Sequence, residues 1–250
     1  MKTTLDWIPA DWSAPANIIA GCTTRSGGVS KGPYASLNLG DHVGDDPAFV
    51  RENRRRLVAG ASLPAEPLWL HQVHGNAVVT DPPAVSKPQA DAIVSRKIGS
   101  VCAVMIADCL PILLVSGDGT EVAAIHAGWR GLAGGVVEAT LQAMRAAPGD
   151  MLAWLGPAIS KDHFEVGEEV RMAFTEHDPA AARCFYSNER GRWQADLFAL
   201  ARQRVEAAGI RQVSGGDYCT YGDSGRFYSY RRDGECGRMA CFVLRNGEKP

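Results

Sequence analysis

The sequence predicts one α/β domain that contains mixed β-sheets in an α+β-like layered arrangement. Short segments rich in β-branched and apolar residues alternate along the chain with longer segments of helical periodicity. No sequence repeat or linker divides the 250 residues, and a chain of this length can bury a sizeable core as one unit. We therefore expect residues 1–250 to form a single domain.

The strands are predicted from short segments, most of them rich in Val, Ile, Leu and Ala, that end at turn residues. In chain order these segments are 18–24, 68–70, 92–95, 101–106, 110–115, 122–125, 152–155, 192–195, 210–213 and 239–244. A proline-containing loop is expected at 82–88. Several polar side chains follow the ends of these strands, where a rigid sheet can hold a site in place and still leave it open to a substrate.

Four segments predict helices, at 46–59, 132–147, 167–177 and 197–208. Asp46 and Asp196 are suited to begin two of them, because an aspartate side chain can accept the unpaired N–H groups of a first helical turn. Pro47 fits the first turn of its helix, where the N–H group that proline lacks would have no partner within the helix.

Composition excludes several classes of function. A net charge of −2 gives no electrostatic case for a nucleic-acid or anionic-membrane partner, and no apolar run approaches the roughly 20 residues that span a bilayer. The first residues lack the apolar stretch of a signal peptide, so we expect a cytoplasmic protein. In a reducing compartment the seven cysteines are interpreted as thiols or metal ligands and not as a disulfide framework.

Three segments in the centre of the chain carry the chemistry: 71–75 (HQVHG), 107–111 (ADCLP) and 124–131 (AIHAGWRG). We predict that His71, Cys109 and His126 converge on one metal ion, for which zinc is the preferred candidate. Two imidazoles and one thiolate would leave a fourth tetrahedral position for water or substrate. The spacing by itself favours packed or hydrogen-bonded histidines and a buried, inert cysteine over a metal site.

The choice between the two histidines of 71–75 rests on strand geometry. Side chains three apart on a strand face opposite sides, so we expect only one of them to be a ligand. We choose His71, which the strand at 68–70 would deliver, and assign His74 an acid–base or orienting role. Asp91, just before a strand, could bond a substrate or a ligand histidine, or serve only as a turn residue.

Arg130 lies beside Gly134-Gly135 at the start of the helix predicted for 132–147. Backbone N–H groups there could approach a phosphate together with the Arg130 guanidinium. Tight packing of the glycines against the sheet explains them equally well.

The same three segments resemble the signature segments of the laccase-domain family, also called the polyphenol oxidase or multicopper-oxidase-like family. Its bacterial members include the peptidoglycan editing factor. Further similarity lies at 23–28 (TTRSGG), 36–40 (SLNLG), 156–159 (GPAI) and 229–233 (SYRRD), in the family's order. The resemblance implies a single domain with mixed sheets packed between helices, and a zinc site at His71, Cys109 and His126.

The resemblance also implies phosphorolysis of adenosine, inosine, guanosine and methylthioadenosine, and deamination of adenosine. The expected partners are therefore a small-molecule nucleoside and phosphate. Within this hypothesis His74, Asp91, Cys109 and Arg130 are the candidate catalytic residues. The candidate substrate or phosphate contacts are Arg25, Asn38, Gln72 and Arg231.

Three alternatives remain open at this point. Copper could occupy the His-Cys-His site with Met105 as a weak axial ligand, although six histidines are too few for a multicopper centre as well. A metal-free Cys109 could act as the nucleophile of an amide hydrolase that edits a peptidoglycan precursor. The third alternative is a binding module without turnover. Substrate preference and oligomeric state do not follow from the sequence.

Overall fold

Two β-sheets packed face to face form the centre of the fold in this computed structural model, which describes residues 5–80 and 86–247. In chain order the strands are β1 (Trp7–Pro9), β2 (Ile18–Thr23), β3 (Val78–Thr80), β4 (Ala92–Ser95), β5 (Val101–Ile106), β6 (Leu110–Ser116), β7 (Val122–Ala127), β8 (Met151–Leu155), β9 (Glu165–Val166), β10 (Phe185–Ser187), β11 (Trp193–Ala195), β12 (Gln212–Gly215) and β13 (Met239–Arg245). The helices are α1 (Pro47–Gly60), α2 (Trp129–Ala133), α3 (Val136–Ala143), α4 (Glu168–Thr175), α5 (Leu197–Ala207) and α6 (Tyr230–Asp233).

The larger sheet has the strand order β12-β8-β6-β7-β4-β3, and the smaller central sheet has the order β1-β2-β13-β5. All pairs of the four-stranded sheet are antiparallel. The six-stranded sheet is mixed, since its outer pairs β12–β8 and β3–β4 are parallel and its inner pairs are antiparallel. A small antiparallel sheet, β10-β11-β9, lies apart from both.

Alternation of side chains along the strands divides the core into three layers. Ile93 and Leu113 of the larger sheet pack with Val104 and Val243 of the smaller one, between the two sheets. The opposite face of the larger sheet packs on α3, α4 and α5. The opposite face of the smaller sheet packs on Leu57 of α1. The prediction of a single domain with mixed sheets between helices is confirmed.

The predicted helix 132–147 is wrong as one element. The structure has two helices there, α2 and α3, separated at Gly134 and Gly135. Gly135 has a φ of 84°, a left-handed conformation that an α-helix interior does not contain and that favours glycine. The two predicted helix caps are confirmed. The Asp46 carboxylate accepts the N–H group of Ala48, and the Asp196 carboxylate accepts that of Ala199.

Residues 68–70 do not form the predicted strand. Leu68 makes only an isolated parallel bridge with Cys102, and the chain then continues without regular pairing towards His71. The loop predicted at 82–88 falls largely outside the described residues.

The cysteine prediction is corrected for two residues. Cys22 of β2 and Cys241 of β13 lie directly opposite each other on neighbouring antiparallel strands and form a disulfide. Both are fully buried between the sheets. None of the helices in the described parts of the chain is long and apolar enough to cross a membrane.

Candidate metal centre and active site

His74, Cys109 and His126 form a cluster in which one potential ligand atom of each residue lies within 4.8 Å of the others. The two imidazole rings meet edge to face, with centroids 4.8 Å apart. All three side chains line one cavity of about 300 Å³. The cluster therefore faces a space that can admit a small molecule.

Strand register brings Cys109 and His126 together. In the antiparallel pair β6–β7, Leu110 lies opposite Ala127 and Pro111 lies opposite His126. Cys109 immediately precedes β6 and Gly128 immediately follows β7, so the two meet at the same end of the sheet. A Cβ atom on Gly128 would lie 3.0 Å from the Cys109 Sγ and 3.1 Å from the His74 Cδ2. The absence of a side chain at residue 128 is therefore what allows the cluster to close.

The loop that carries His74 is held by the carboxylate of Asp91, which is fully buried. Asp91 accepts the backbone N–H groups of Val73 (3.2 Å), His74 (2.9 Å) and Gly75 (2.7 Å). His74 itself has a φ of 60°, in the left-handed region. This turn directs the His74 side chain into the cluster.

The same carboxylate orients His126. The Asp91 Oδ1 lies 2.8 Å from the Nδ1 of His126, and the Asp91 carbonyl accepts the His126 N–H at 2.7 Å. With Nδ1 bonded to a carboxylate, Nε2 is the nitrogen of His126 that can serve a ligand. Asp91 thus positions both histidines and does not line the cavity of the cluster, and its catalytic role stays a prediction.

The charges of the cluster favour a thiolate. Burial alone would raise the pKa of Cys109, but the neighbouring His126, with a contribution from His74, lowers that pKa to about 6. Burial alone would lower the pKa of His126, whereas the Cys109 sulfur and the hydrogen bond that the His126 ring donates to Asp91 raise it to about 9. Near neutral pH the pair is therefore poised as thiolate and imidazolium when no metal is bound.

The donor set fits a metal ion. One thiolate and two imidazole nitrogens are ligands that zinc and copper both accept, and three protein ligands leave a position open, as in catalytic zinc sites. A carboxylate that bonds the other ring nitrogen of a ligand histidine is the usual support of such a site, and Asp91 supplies it.

His71 does not join the cluster, which corrects its prediction as a ligand. It is exposed and lines a neighbouring cavity of about 250 Å³ together with Lys87. Its backbone bonds Pro88 and Ala90, which fixes it to the chain before the turn. Because the chain turns at His74, the second histidine of 71–75 joins the cluster and the first does not.

Gln72 and Asn38 both hold backbone segments near the cavity, and their contacts with substrate stay predictions. Gln72 lines the cavity, but both ends of its amide bond the backbone of Met105, at 2.8 and 2.7 Å. Asn38 is fully buried, and its side-chain oxygen accepts the N–H groups of Gly40 and Arg238. Asn38 thereby fixes the backbone of Arg238.

The three arginines predicted to bind phosphate do not line the cavity of the cluster. The Arg25 guanidinium donates to the carbonyls of Ala35 and Ser224. Arg130 lies over the ring of Trp129. Arg231 donates to the Glu165 carbonyl and lines a separate cavity. The structure thus places none of the three side chains on this cavity wall, and their contacts with phosphate stay predictions.

Sequence reasoning missed two residues of the cavity wall, His42 and Arg238. His42 lies in a loop, and Arg238 lies just before the last strand without a motif of its own. Tyr230 also lines the cavity and is 62% exposed. The Tyr34–Glu235 and Asn38–Arg238 hydrogen bonds, which no sequence pattern reveals, bring these segments together.

A family model described as multi-copper polyphenol oxidoreductase laccase matches residues 19–246. The chain belongs to this family. The resemblance found in the sequence is thereby confirmed, and its motifs at 71–75, 107–111 and 124–131 are the segments that build the cluster.

Members of the family with curated names are similar over almost their whole length. The purine nucleoside phosphorylase YfiH of Escherichia coli is 51% identical over 238 residues, which cover 94% of this chain and 97% of the relative. The purine nucleoside phosphorylase PA4543 of Pseudomonas aeruginosa is 52% identical over 239 residues, with coverage of 95% and 97%.

Solved structures share the fold. The crystal structure of Neisseria meningitidis protein NMB0706 has a TM-score of 0.93 and 48% identity, and the match covers 97% of this chain and all of that one. YlmD from Geobacillus stearothermophilus has a TM-score of 0.90 and 32% identity, with 97% of both chains covered.

Proposed function

We propose that this protein is a zinc-dependent purine nucleoside phosphorylase that also deaminates adenosine. The observation that carries the proposal is the His74–Cys109–His126 cluster, which faces a cavity and has the donor set of an open zinc site. The names of the Escherichia coli and Pseudomonas aeruginosa relatives give the substrate class.

Zinc held by these three residues would act as a Lewis acid on an oxygen atom in the cavity. The chain supplies the rest. Asp91 keeps the His74 loop and the His126 ring fixed, so the ligand atoms need not reorganise. Met105 and Ala107 give the cavity an apolar wall, and Tyr230 at its rim offers a ring face to a purine.

In phosphorolysis a phosphate oxygen forms a bond to ribose C1′ while the bond from C1′ to the base nitrogen breaks. The base leaves with the electron pair and takes up a proton. Deamination replaces the amino group at purine C6 with an oxygen from water. Both reactions need an oxygen nucleophile beside the nucleoside, so one open cluster can serve both.

The proposal is tested with purified metal-replete protein, inosine and phosphate, by following hypoxanthine and ribose 1-phosphate, and with adenosine, by following ammonia. We expect Cys109→Ala and His126→Ala to lose at least about 100-fold in kcat/KM for both reactions, because each removes one of three ligands. His71→Ala, in the same loop as His74 but outside the cluster, is the control and should match the wild type. Wild-type protein that releases no hypoxanthine would overturn the proposal.

A Cys109 hydrolase is the second candidate, and one observation favours it. Cys109, His126 and Asp91 form a thiolate, an imidazolium and a carboxylate in hydrogen-bonded sequence, the arrangement of a cysteine nucleophile with its base and orienting group. Amide hydrolysis by metal-free protein that is abolished by thiol alkylation would favour this function over the phosphorylase.

A further inference from the structure

We propose that Arg238, assisted by His42 at the rim, is the phosphate-binding subsite of the cavity that contains the cluster. The ligand is inorganic phosphate, the second substrate of phosphorolysis, so the inference rests on the proposed function. Neither residue belongs to the segments from which the site was predicted.

The wall of this cavity carries an arginine, whose positive charge is permanent. The wall also contains three histidines and the Cys109 thiol, and no carboxylate among the described residues. Arg25, Arg130 and Arg231 are absent from it, so Arg238 is the arginine that this wall presents. A guanidinium in a concave site without a counter-ion favours the binding of an anion.

The Arg238 guanidinium is only partly satisfied by the protein. One terminal nitrogen donates to the carbonyls of Cys236 (2.9 Å) and Gly237 (3.0 Å). Within 5–80 and 86–247 no carboxylate lies within ion-pair distance of Arg238, and its Nε and second terminal nitrogen make no hydrogen bond. Two donor groups thus remain for a ligand, which is the fork that a phosphate accepts.

Arg238 is also held in place before any ligand arrives. Its backbone N–H donates to the Asn38 side chain (2.9 Å), and its carbonyl accepts the Leu39 N–H (3.1 Å). Its aliphatic stem passes over Gly40, where a Cβ atom would lie 2.9 Å from the Arg238 Cγ. A pre-oriented arginine loses little conformational freedom on binding, which favours affinity for a small ion.

His42 is the second basic side chain that lines this cavity outside the cluster. Its side chain is 49% exposed, lies 3.6 Å from the Asp41 carboxylate, and lines both this cavity and the neighbouring one. An imidazole there can donate one hydrogen bond to a phosphate that Arg238 holds. A phosphate between the two residues would share the cavity with the cluster and leave the apolar wall for the nucleoside.

The test combines kinetics with direct binding on the metal-replete protein. Arg238→Met should raise the KM for phosphate about tenfold or more, since it removes the charge-assisted hydrogen bonds to the ion. The KM for inosine and the rate of adenosine deamination, which consumes no phosphate, should stay within about twofold of wild type. Arg238→Lys should recover part of the loss because it restores the charge without the fork.

Arg231→Met is the matched control, since it removes an arginine of the same region that faces another cavity. His42→Ala alters an exposed side chain and so does not depend on folding of the Arg238 variants. It should raise the phosphate KM about threefold. An unchanged phosphate KM in Arg238→Met, or an equal loss in Arg231→Met, would overturn the subsite.

Calorimetric titration with inorganic phosphate separates this inference from the proposed function. Phosphate binding by wild type and its loss in Arg238→Met would support the subsite even if no nucleoside is cleaved. Turnover of inosine with phosphate binding that is equal in wild type and Arg238→Met would leave the phosphorylase standing and reject the subsite.

Discussion

At the scale of single residues, Asp91 has the widest influence on the site. One buried carboxylate accepts three amides of the His74 loop and bonds the ring of His126, so it sets the position of two of the three candidate ligands. Burial alone would raise the pKa of Asp91, but its bonds with His126 and the loop amides lower it. The ionised form is therefore the one that the fold stabilises.

Asp91→Asn keeps the shape and removes the charge. We expect metal affinity to fall about 10–100-fold, as for other carboxylates that support a ligand histidine. A group whose pKa is lowered on folding contributes stability above its unfolded pKa of about 3.9, and loses that contribution as the pH falls through its folded pKa. The difference in unfolding free energy between wild type and variant should therefore be largest near neutral pH and shrink below about pH 4.

Urea unfolding of both metal-free proteins at several pH values measures this difference. Competition with a chelator of known affinity measures the change in metal binding. A variant with unaltered metal affinity would show that Asp91 does not support the cluster.

Gly128 provides a second residue-scale prediction. A Cβ atom at this position would press on Cys109 and His74 at about 3 Å, and neither can move without leaving the cluster. We expect Gly128→Ala to fold, to lose most of its bound metal, and to lose activity in proportion. Gly149→Ala is the matched control, because a Cβ atom there meets nothing within 4 Å. Circular dichroism checks the fold and elemental analysis checks the metal, and metal-replete Gly128→Ala would contradict the packing argument.

At the scale of elements, the sequence predicted the strands that carry the site and missed the loop between them. Buried strands such as 101–106 and 110–115 can be predicted from their apolar composition. Cys109 and His126 were chosen as site residues because they lie near the ends of predicted strands. The choice of His71 over His74 rested on a strand at 68–70, which the structure does not form. The left-handed turn at His74 depends on bonds to Asp91, which is distant in sequence, so no local pattern reveals it.

The pairing of β2 with β13 leads to an element-scale prediction about cysteine chemistry. Cys22 and Cys241 are opposite each other and form a disulfide, although they are 219 residues apart in the chain. Without reductant, the denatured protein should titrate two fewer thiols than the fully reduced protein. The same count in both samples would mean that the two residues are packed thiols, as the sequence alone had suggested.

At the scale of the whole molecule, the site lies where both layers of the sandwich contribute. The larger sheet provides the ends of β6 and β7, and the segment preceding β13 of the smaller sheet provides Arg238. The fold class and the layering were predictable, because apolar periodicity reports which faces are buried. Arg238 and His42 were not, since their place in the cavity depends on buried contacts such as that between Asn38 and Arg238.

We propose that His74, Cys109 and His126, and not His71, hold one catalytic metal ion. Elemental analysis of untagged wild type, His74→Ala and His71→Ala tests it most directly. We predict about one zinc per chain in wild type and in His71→Ala, and loss of the metal in His74→Ala. Copper in place of zinc would direct the function towards oxidation. Metal that is retained in His74→Ala, or lost in His71→Ala, would contradict the account.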